Sequence, residues 1–187
     1  LSGNVRQKLR TAQRVAARDP FFAGNVDALI AAQPKDLEAS EIEVRLGATW
    51  FDKKYIEQFM YETFETPRYL RGQIEISYVP YTAEWQVSRK SMVRYNDVAA
   101  FTTYGTDRAS AYRLLEDALN LRDIRIYDTI EDADGRERRV LNAKETTLAA
   151  QKQQLIRDAF KDWIWKDPER RETLVRQYNE EMNSTRP

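Results

Sequence analysis

The sequence has no cysteine and no histidine among its 187 residues. Without cysteine there is no disulfide, no thiolate nucleophile and no cysteine-based zinc site. Without histidine there is no Ser-His-Asp triad and no histidine-ligated metal, and the commonest general base is missing. We therefore expect a chain with no catalytic residues, no metal, no cofactor and no small-molecule substrate.

Long apolar runs are also lacking, since no stretch approaches the roughly eighteen consecutive apolar residues of a membrane-spanning helix. The N-terminal stretch "LSGNVRQKLR" has no apolar signal core and starts at Leu1 rather than Met. We expect a cytoplasmic chain that is a piece of a longer protein and has no membrane partner.

The sequence also lacks a net charge. Lys+Arg and Asp+Glu number 30 each, which argues against a polybasic protein but permits a local basic patch. The charges are unevenly placed: residues 34–66 hold four basic and eight acidic side chains, whereas residues 67–114 hold seven basic and four acidic ones. The second window is therefore where an anionic partner would bind.

Helix signals dominate both ends of the chain. Apolar residues recur at helical spacing, and capping Asp or Asn residues precede the helices, twice with Pro at the first helical position. The predicted helices cover residues 4–18, 20–32, 53–64, 143–166 and 168–182. The cap signals that start four of them are Asp19–Pro20, Asp52, Asn142 and Asp167–Pro168.

Strand signals occupy the middle. Two predicted hairpins pair residues 74–81 with 84–88 and residues 124–130 with 137–141, the second around an Asp-Ala-Asp-Gly turn. Residues 97–104 and the alternating stretch 42–46 are further predicted strands, although Ser40 equally suits the cap of a helical turn. The pattern predicts an α+β fold: a small, mainly antiparallel sheet with several helices before and after it.

The stretch "FTTYGTDRASAYRLLEDALNL", residues 101–121, predicts a turn at Gly105 and a helix that starts within two residues of Asp107. Thr106 or Asp107 would cap this helix. A phosphate contact at the helix start is the alternative. A nucleotide-binding loop is excluded, because none of the six glycines is followed by Lys.

The stretch "SRKSMVRYN", residues 88–96, predicts an exposed basic loop that contains no acidic residue. Cationic side chains interleaved with aromatic ones can follow a phosphate backbone while stacking on bases. The alternatives are that the aromatics belong to the core and that the charges pair with the acidic 34–66 region. The predicted nucleic-acid-binding residues are Arg89, Lys90, Arg94, Trp85, Tyr95 and Arg108.

Several strings together resemble one family along essentially the whole chain. They are "LSGNVRQKLR", "GNVDALIAAQP", "EVRLGATWF", "YIEQFM", "TYGTDRASAY", "EDALNLRDIRIYD", "LNAKET" and "DWIWKDPERRETLVRQYNEEMNSTRP". They are similar to a segment of the large adenine-specific DNA methylase and Swi/Snf-type helicase fusion proteins of bacterial conjugative elements and phages. The resemblance implies a connecting segment that follows the methylase region and precedes the helicase motor.

The catalytic motifs of those fusion proteins do not occur here. No Pro-Pro is present for the methylase Asn-Pro-Pro-Tyr loop, and no Gly-Lys-Thr is present for the motor. The resemblance thus implies a bacterial accessory domain that neither hydrolyses ATP nor methylates DNA. We expect one domain, 1–187, with an N-terminal helical arm at 1–33 and a C-terminal helical pair at 143–183. Its expected partners are DNA and the methylase and helicase domains of its parent chain; the alternative is a structural connector that makes only protein contacts.

Overall fold

The α+β class predicted from the sequence is confirmed by the computed structural model, which describes residues 2–186. In this range the chain forms six α-helices and three separate two-stranded antiparallel sheets. Its packing defines two compact units: one comprises the chain up to Glu43 and from Trp165 onwards, and the other runs from Val44 to Ile164. None of the described helices is long and apolar enough to cross a bilayer.

The first unit joins the two ends of the chain. It contains β1 (Gly3–Asn4), α1 (Val5–Ala16), α2 (Ala23–Ala31), α6 (Pro168–Glu181) and β6 (Thr185–Arg186). Strands β1 and β6 pair in antiparallel register, with Gly3 opposite Arg186. The helical arm and the last helix, predicted as separate extensions of one domain, therefore belong to the same unit.

The second unit contains nearly all of the apolar core. Its elements are α3 (Lys53–Thr63), β2 (Ile76–Val79), β3 (Glu84–Val87), α4 (Ala111–Leu119), β4 (Tyr127–Glu131), β5 (Glu137–Leu141) and all but the last two residues of α5 (Ala143–Lys166). The Phe59 ring packs edge-on against both Phe64 and Phe160, and Phe64 packs against Tyr112. These four rings are buried and link α3, α4 and α5.

Side-chain caps set the starts of α3, α5 and α6 where the sequence predicted them, whereas Asp19 caps only a short 3-10 turn, Pro20–Phe22, and α2 starts after it at Ala23. Asp52 Oδ1 accepts a hydrogen bond from the Lys54 amide at 2.8 Å, and Asp167 Oδ1 accepts one from the Arg170 amide at 3.0 Å. Asn142 Oδ1 does the same for Glu145 at the start of α5. Each cap satisfies an amide that has no partner within its own helix, so these starts follow from local sequence.

Two predicted strands are wrong. Residues 42–46 alternate between buried and exposed side chains, but they pair with no other strand in the described chain. A helical turn at Ala39–Glu41 precedes them, but Glu38 is its cap and Ser40 lies inside it, so the alternative of a turn capped by Ser40 is also wrong. Residues Ala99–Thr103 form a π-helical turn instead of a strand, and the Ala100 amide donates to Asp97 Oδ1 at 2.9 Å rather than to a neighbouring strand.

The helix predicted to start within two residues of Asp107 begins later, at Ala111, so this prediction is wrong in position. Ser110 caps α4 by accepting a hydrogen bond from the Arg113 amide at 3.3 Å. Thr106 and Asp107 lie in a separate tight turn that Thr106 and Ala109 close. The helix buries the predicted apolar face, which includes Tyr112 and Leu115.

Candidate nucleic-acid interface

The predicted basic loop, residues 88–96, follows the β2–β3 hairpin within the second unit. In this hairpin Trp85 lies opposite Tyr78, with ring centroids 4.8 Å apart. Trp85 is 4% exposed, and its backbone N–H and C=O both bond to the Asn120 side chain at 2.8 Å. The prediction that Trp85 stacks on bases is therefore wrong, since the hairpin packs this ring into the core.

Ser88 fastens the start of the loop to a neighbouring turn. Its hydroxyl donates to the Gln73 carbonyl at 3.1 Å and accepts from the Glu75 amide at 3.0 Å. Arg89 follows with a left-handed backbone, φ 53°, and its guanidinium lies 3.5 Å from Gln73 Oε1. Residues 68–75 and 88–90 therefore lie side by side on the surface.

Lys90 is neutralised within the unit. Its ammonium group lies 2.7 Å from a Glu116 carboxylate oxygen and donates to the Val87 carbonyl at 3.0 Å. The same carboxylate oxygen accepts from the Val87 amide at 2.8 Å. Lys90 thus ties the loop to α4 and has no free charge for a phosphate; its partner is Glu116 rather than the acidic 34–66 region.

Arg108 is also held inside the unit. Its guanidinium donates to Asp128 Oδ1 at 2.7 Å and to the Tyr127 carbonyl at 2.8 Å. The other Asp128 oxygen accepts from the Asn142 amide group at 2.9 Å. The hydrogen bonds from Arg108 and then Asn142 hold the pKa of Asp128 below its usual value. Arg108 therefore fastens a turn to β4, and its predicted role in nucleic-acid contact is not supported.

The turn before α4 offers little to a phosphate. Thr106 Oγ1 accepts from the amides of Arg108 at 3.2 Å and Ala109 at 3.1 Å. The Thr106 amide itself donates to the Ala109 carbonyl at 2.8 Å. These amides are satisfied within the chain, so the structure does not favour the phosphate alternative at this helix start.

Arg94 and Tyr95 are the predicted site residues that remain available besides Arg89. Tyr95 is 88% exposed. Arg94 is exposed, and its side chain makes no hydrogen bond or ion pair with the described residues. Both lie on the surface, where a basic side chain next to an accessible aromatic ring can meet a phosphate and a base.

The adjoining turn adds side chains that the sequence analysis did not select. Tyr69 is 60% exposed, and Gln73 donates to its carbonyl at 2.9 Å. Arg71 is positioned by a hydrogen bond to the Thr66 carbonyl at 3.0 Å and lies over the Tyr61 ring. Arg68 is exposed and makes no ion pair within residues 2–186. The regional basic excess was a signal for these residues, but it did not show that the turn adjoins the loop.

We define the basic surface by what its members share, an exposed cation or tyrosine in these two adjoining segments. They are Arg68, Tyr69, Arg71, Arg89, Arg94 and Tyr95. Glu65 and Glu75 are exposed nearby in the chain. Four arginines against two glutamates leave an excess of two positive charges. A surface of this kind attracts phosphates and offers rings for stacking.

Comparison with known proteins gives one finding. No curated protein and no solved structure matches the chain at a significant level. A family model described as Domain of unknown function (DUF8437) matches residues 45–184. This range contains the basic surface and all but the first residue of the second unit. Because the match covers most of the chain, the protein belongs to the DUF8437 family.

Proposed function

We propose that this chain is a non-catalytic accessory domain that contacts DNA through the basic surface. Its parent would be a cytoplasmic methylase–helicase fusion protein of a bacterial mobile element, and its further partners the methylase and helicase domains of that protein. The observation that carries the proposal is that Ser88 and Arg89 join the loop to the 68–75 turn, and that Arg68, Arg89 and Arg94 are exposed in these two segments. Among the described residues no ion pair neutralises these three arginines.

The chemistry of these side chains suits a nucleic acid. An arginine guanidinium donates in pairs to phosphate oxygens and is always charged. Tyr69 and Tyr95 present accessible rings for bases that are not already stacked in a duplex. Because the whole chain is electrically neutral, binding should be weak and should fall steeply with salt.

The test replaces the three unpaired arginines together, as Arg68→Gln, Arg89→Gln and Arg94→Gln. Lys90 stays unchanged, because its removal would leave Glu116 without its ion pair. Anisotropy of fluorescein-labelled single-stranded and duplex DNA is measured over a salt series. We expect weaker binding and a salt slope smaller by about two to three units, since each lost phosphate contact removes about 0.7–0.9.

A matched control carries the same change in charge on the first unit: Arg10→Gln, Arg14→Gln and Arg18→Gln. It should bind DNA as the unaltered chain does. If this control loses DNA binding while the basic-surface variant keeps it, the proposed surface is the wrong one. If neither DNA binds the unaltered chain at low salt, the structural-connector alternative is favoured over DNA contact.

A further inference from the structure

The helices α1 and α2 of the first unit enclose a groove that the proposed DNA contact does not use. The groove has a volume of about 740 Å³ and runs along both helices. Val15 and Phe22 line one end of it, where the chain turns between the helices, and Leu29 lies towards the other. Since α1 has 12 residues, the groove is about 18 Å long, which is the length of about three helical turns.

The floor of the groove is apolar. Ala12 and Val15 contribute from α1, and Phe22, Ala28 and Leu29 contribute from the other side. The spacing of α1 places its apolar residues on one face, which would normally be buried. Nevertheless Val15 of α1 is 39% exposed, and Phe22, in the turn before α2, is 36% exposed. The two helices bury only Val5 and Leu29 fully, so their apolar face is largely uncovered.

Lys8 lines the groove, and further basic side chains adjoin its Val15 end. A smaller cavity of about 360 Å³ shares Thr11 and Val15 with the groove and is lined on its other side by Arg14 and Arg18. No acidic residue occurs in α1, and Arg14 and Arg18 form no ion pair with any residue that the structure describes. The groove thus combines an apolar floor with uncompensated positive charge along one side.

We propose that this groove binds an amphipathic helix of a partner protein whose polar face is acidic. Its apolar residues, spaced three and four apart, would fill the floor, as in other helix-in-groove complexes. Its carboxylates would lie against Arg14 and Arg18. This surface is separate from the basic surface, because it lies on the first unit and outside the family match.

The charge and shape of the groove argue against a second copy of this chain, a membrane or DNA as its occupant. A symmetric second copy would bring the same arginines to the same patch, where they would repel each other. An anionic bilayer accommodates an apolar face that lies flat in it, whereas this floor is recessed between two helices. Duplex DNA would meet the arginines but has no apolar ridge to fill the floor.

The probe is a synthetic fluorescein-labelled peptide of about three to four helical turns, with Leu at helical spacing and Glu on the flanking positions. Two matched peptides replace every Glu by Lys or every Leu by Ser. We expect the acidic peptide to bind the full chain with micromolar affinity and both matched peptides to bind at least about tenfold more weakly.

Two groups of protein variants test where the peptide binds. Ala28→Trp fills the floor and should abolish binding, while Arg14→Gln with Arg18→Gln should weaken binding about five- to tenfold and reduce its salt dependence. These residues are exposed, so each variant should keep its helices, which circular dichroism measures. The control Arg68→Gln with Arg89→Gln should bind the peptide normally.

Three outcomes overturn the proposal. The first is equal binding of the acidic and lysine peptides, and the second is the absence of binding by all three. The third is unaltered affinity in both the Ala28→Trp and the double-arginine variants. Concentration-dependent dimerisation, or binding to anionic phospholipid vesicles that Ala28→Trp abolishes, would assign the groove to a second copy or to a membrane instead.

Discussion

At Gly105 the backbone passes so close to other backbone atoms that no side chain fits. A Cβ atom there would lie 1.9 Å from the Ala100 carbonyl oxygen and 2.8 Å from the Ala111 nitrogen. We expect Gly105→Ala to lower the free energy of unfolding by about 3 kcal/mol or more, because backbone neighbours cannot move aside as a side chain can. A denaturant melt measures the change.

The control for Gly105 is Gly24 in α2, where a Cβ meets nothing within 4 Å. Gly24→Ala should be neutral or should stabilise the helix by about 0.5–1 kcal/mol. Gly105 is not among the described glycines with a positive φ, so the close approach of the backbone is what requires glycine at this position. Equal stability of Gly105→Ala and the unaltered chain would show that the close approach is not maintained in solution.

The pair of Tyr112 and Thr66 is the second residue-scale feature. Their hydroxyl oxygens lie 2.6 Å apart, and the two residues are 0% and 2% exposed. Burial raises the pKa of Tyr112 to about 12, so its hydroxyl stays protonated and can donate. We expect Tyr112→Phe to destabilise the fold by about 1–3 kcal/mol, because the Thr66 hydroxyl is left buried without a partner.

A double-mutant cycle separates the hydrogen bond from packing. Thr66→Val combined with Tyr112→Phe removes both polar groups, so the double variant should lose less than the sum of the two single changes. Urea melts of the four proteins measure the coupling. Strict additivity would show that the two hydroxyls do not interact.

At the scale of elements, the β4–β5 hairpin is held at its base by charged and amide side chains. Its strand residues are mostly exposed, and Asp128 receives hydrogen bonds from Arg108 and Asn142. Because the pKa of Asp128 is lowered, its stabilising effect is present above the unfolded pKa, about 3.9. It is lost as the pH falls below that value through the folded pKa.

We therefore expect Asp128→Asn to lower the melting temperature at neutral pH and to matter less as the pH falls below about 4. Melting followed by circular dichroism at several pH values measures the difference between the variant and the unaltered chain. Asp134→Asn, at the tip of the same hairpin, is the matched control and should leave the melting temperature unchanged. A constant difference for Asp128→Asn at all pH values would contradict the role of its charge.

At the scale of the whole molecule, the two units differ in how much apolar surface they bury. The buried apolar side chains of the first unit are Val5, Leu29, Ile42 and Leu174, and all the others described belong to the second. Hydrophobic burial is the main favourable term in folding. The second unit therefore contains most of the stabilising core, together with the basic surface.

We expect a fragment of residues 44–164 to fold by itself, with helical circular dichroism and a cooperative melt. It should bind DNA as the full chain does and should not bind the acidic peptide, since the groove residues are absent from it. Anisotropy with both probes measures this. If the folded fragment binds no DNA while the full chain does, the DNA contact lies in the first unit.

Local signals in the sequence determined the α+β class, the starts of α3, α5 and α6, and the two hairpins. A cap such as Asp52 acts on an amide two residues away, so a short window contains the whole interaction. Exposed loop cations such as Arg89 and Arg94 were likewise predictable. The missing cysteine and histidine excluded their chemistry without any structure.

Only the tertiary structure decided which predicted site residues are free. Lys90 and Glu116 are 26 positions apart, and Arg108 and Asp128 are 20 apart. No local window shows that these charges meet. The same holds for Trp85, which is buried and whose backbone bonds to the Asn120 side chain, 35 positions away. The basic surface itself exists because Ser88 joins the loop to the 68–75 turn, and a contact between distant segments is set by packing rather than by local propensity.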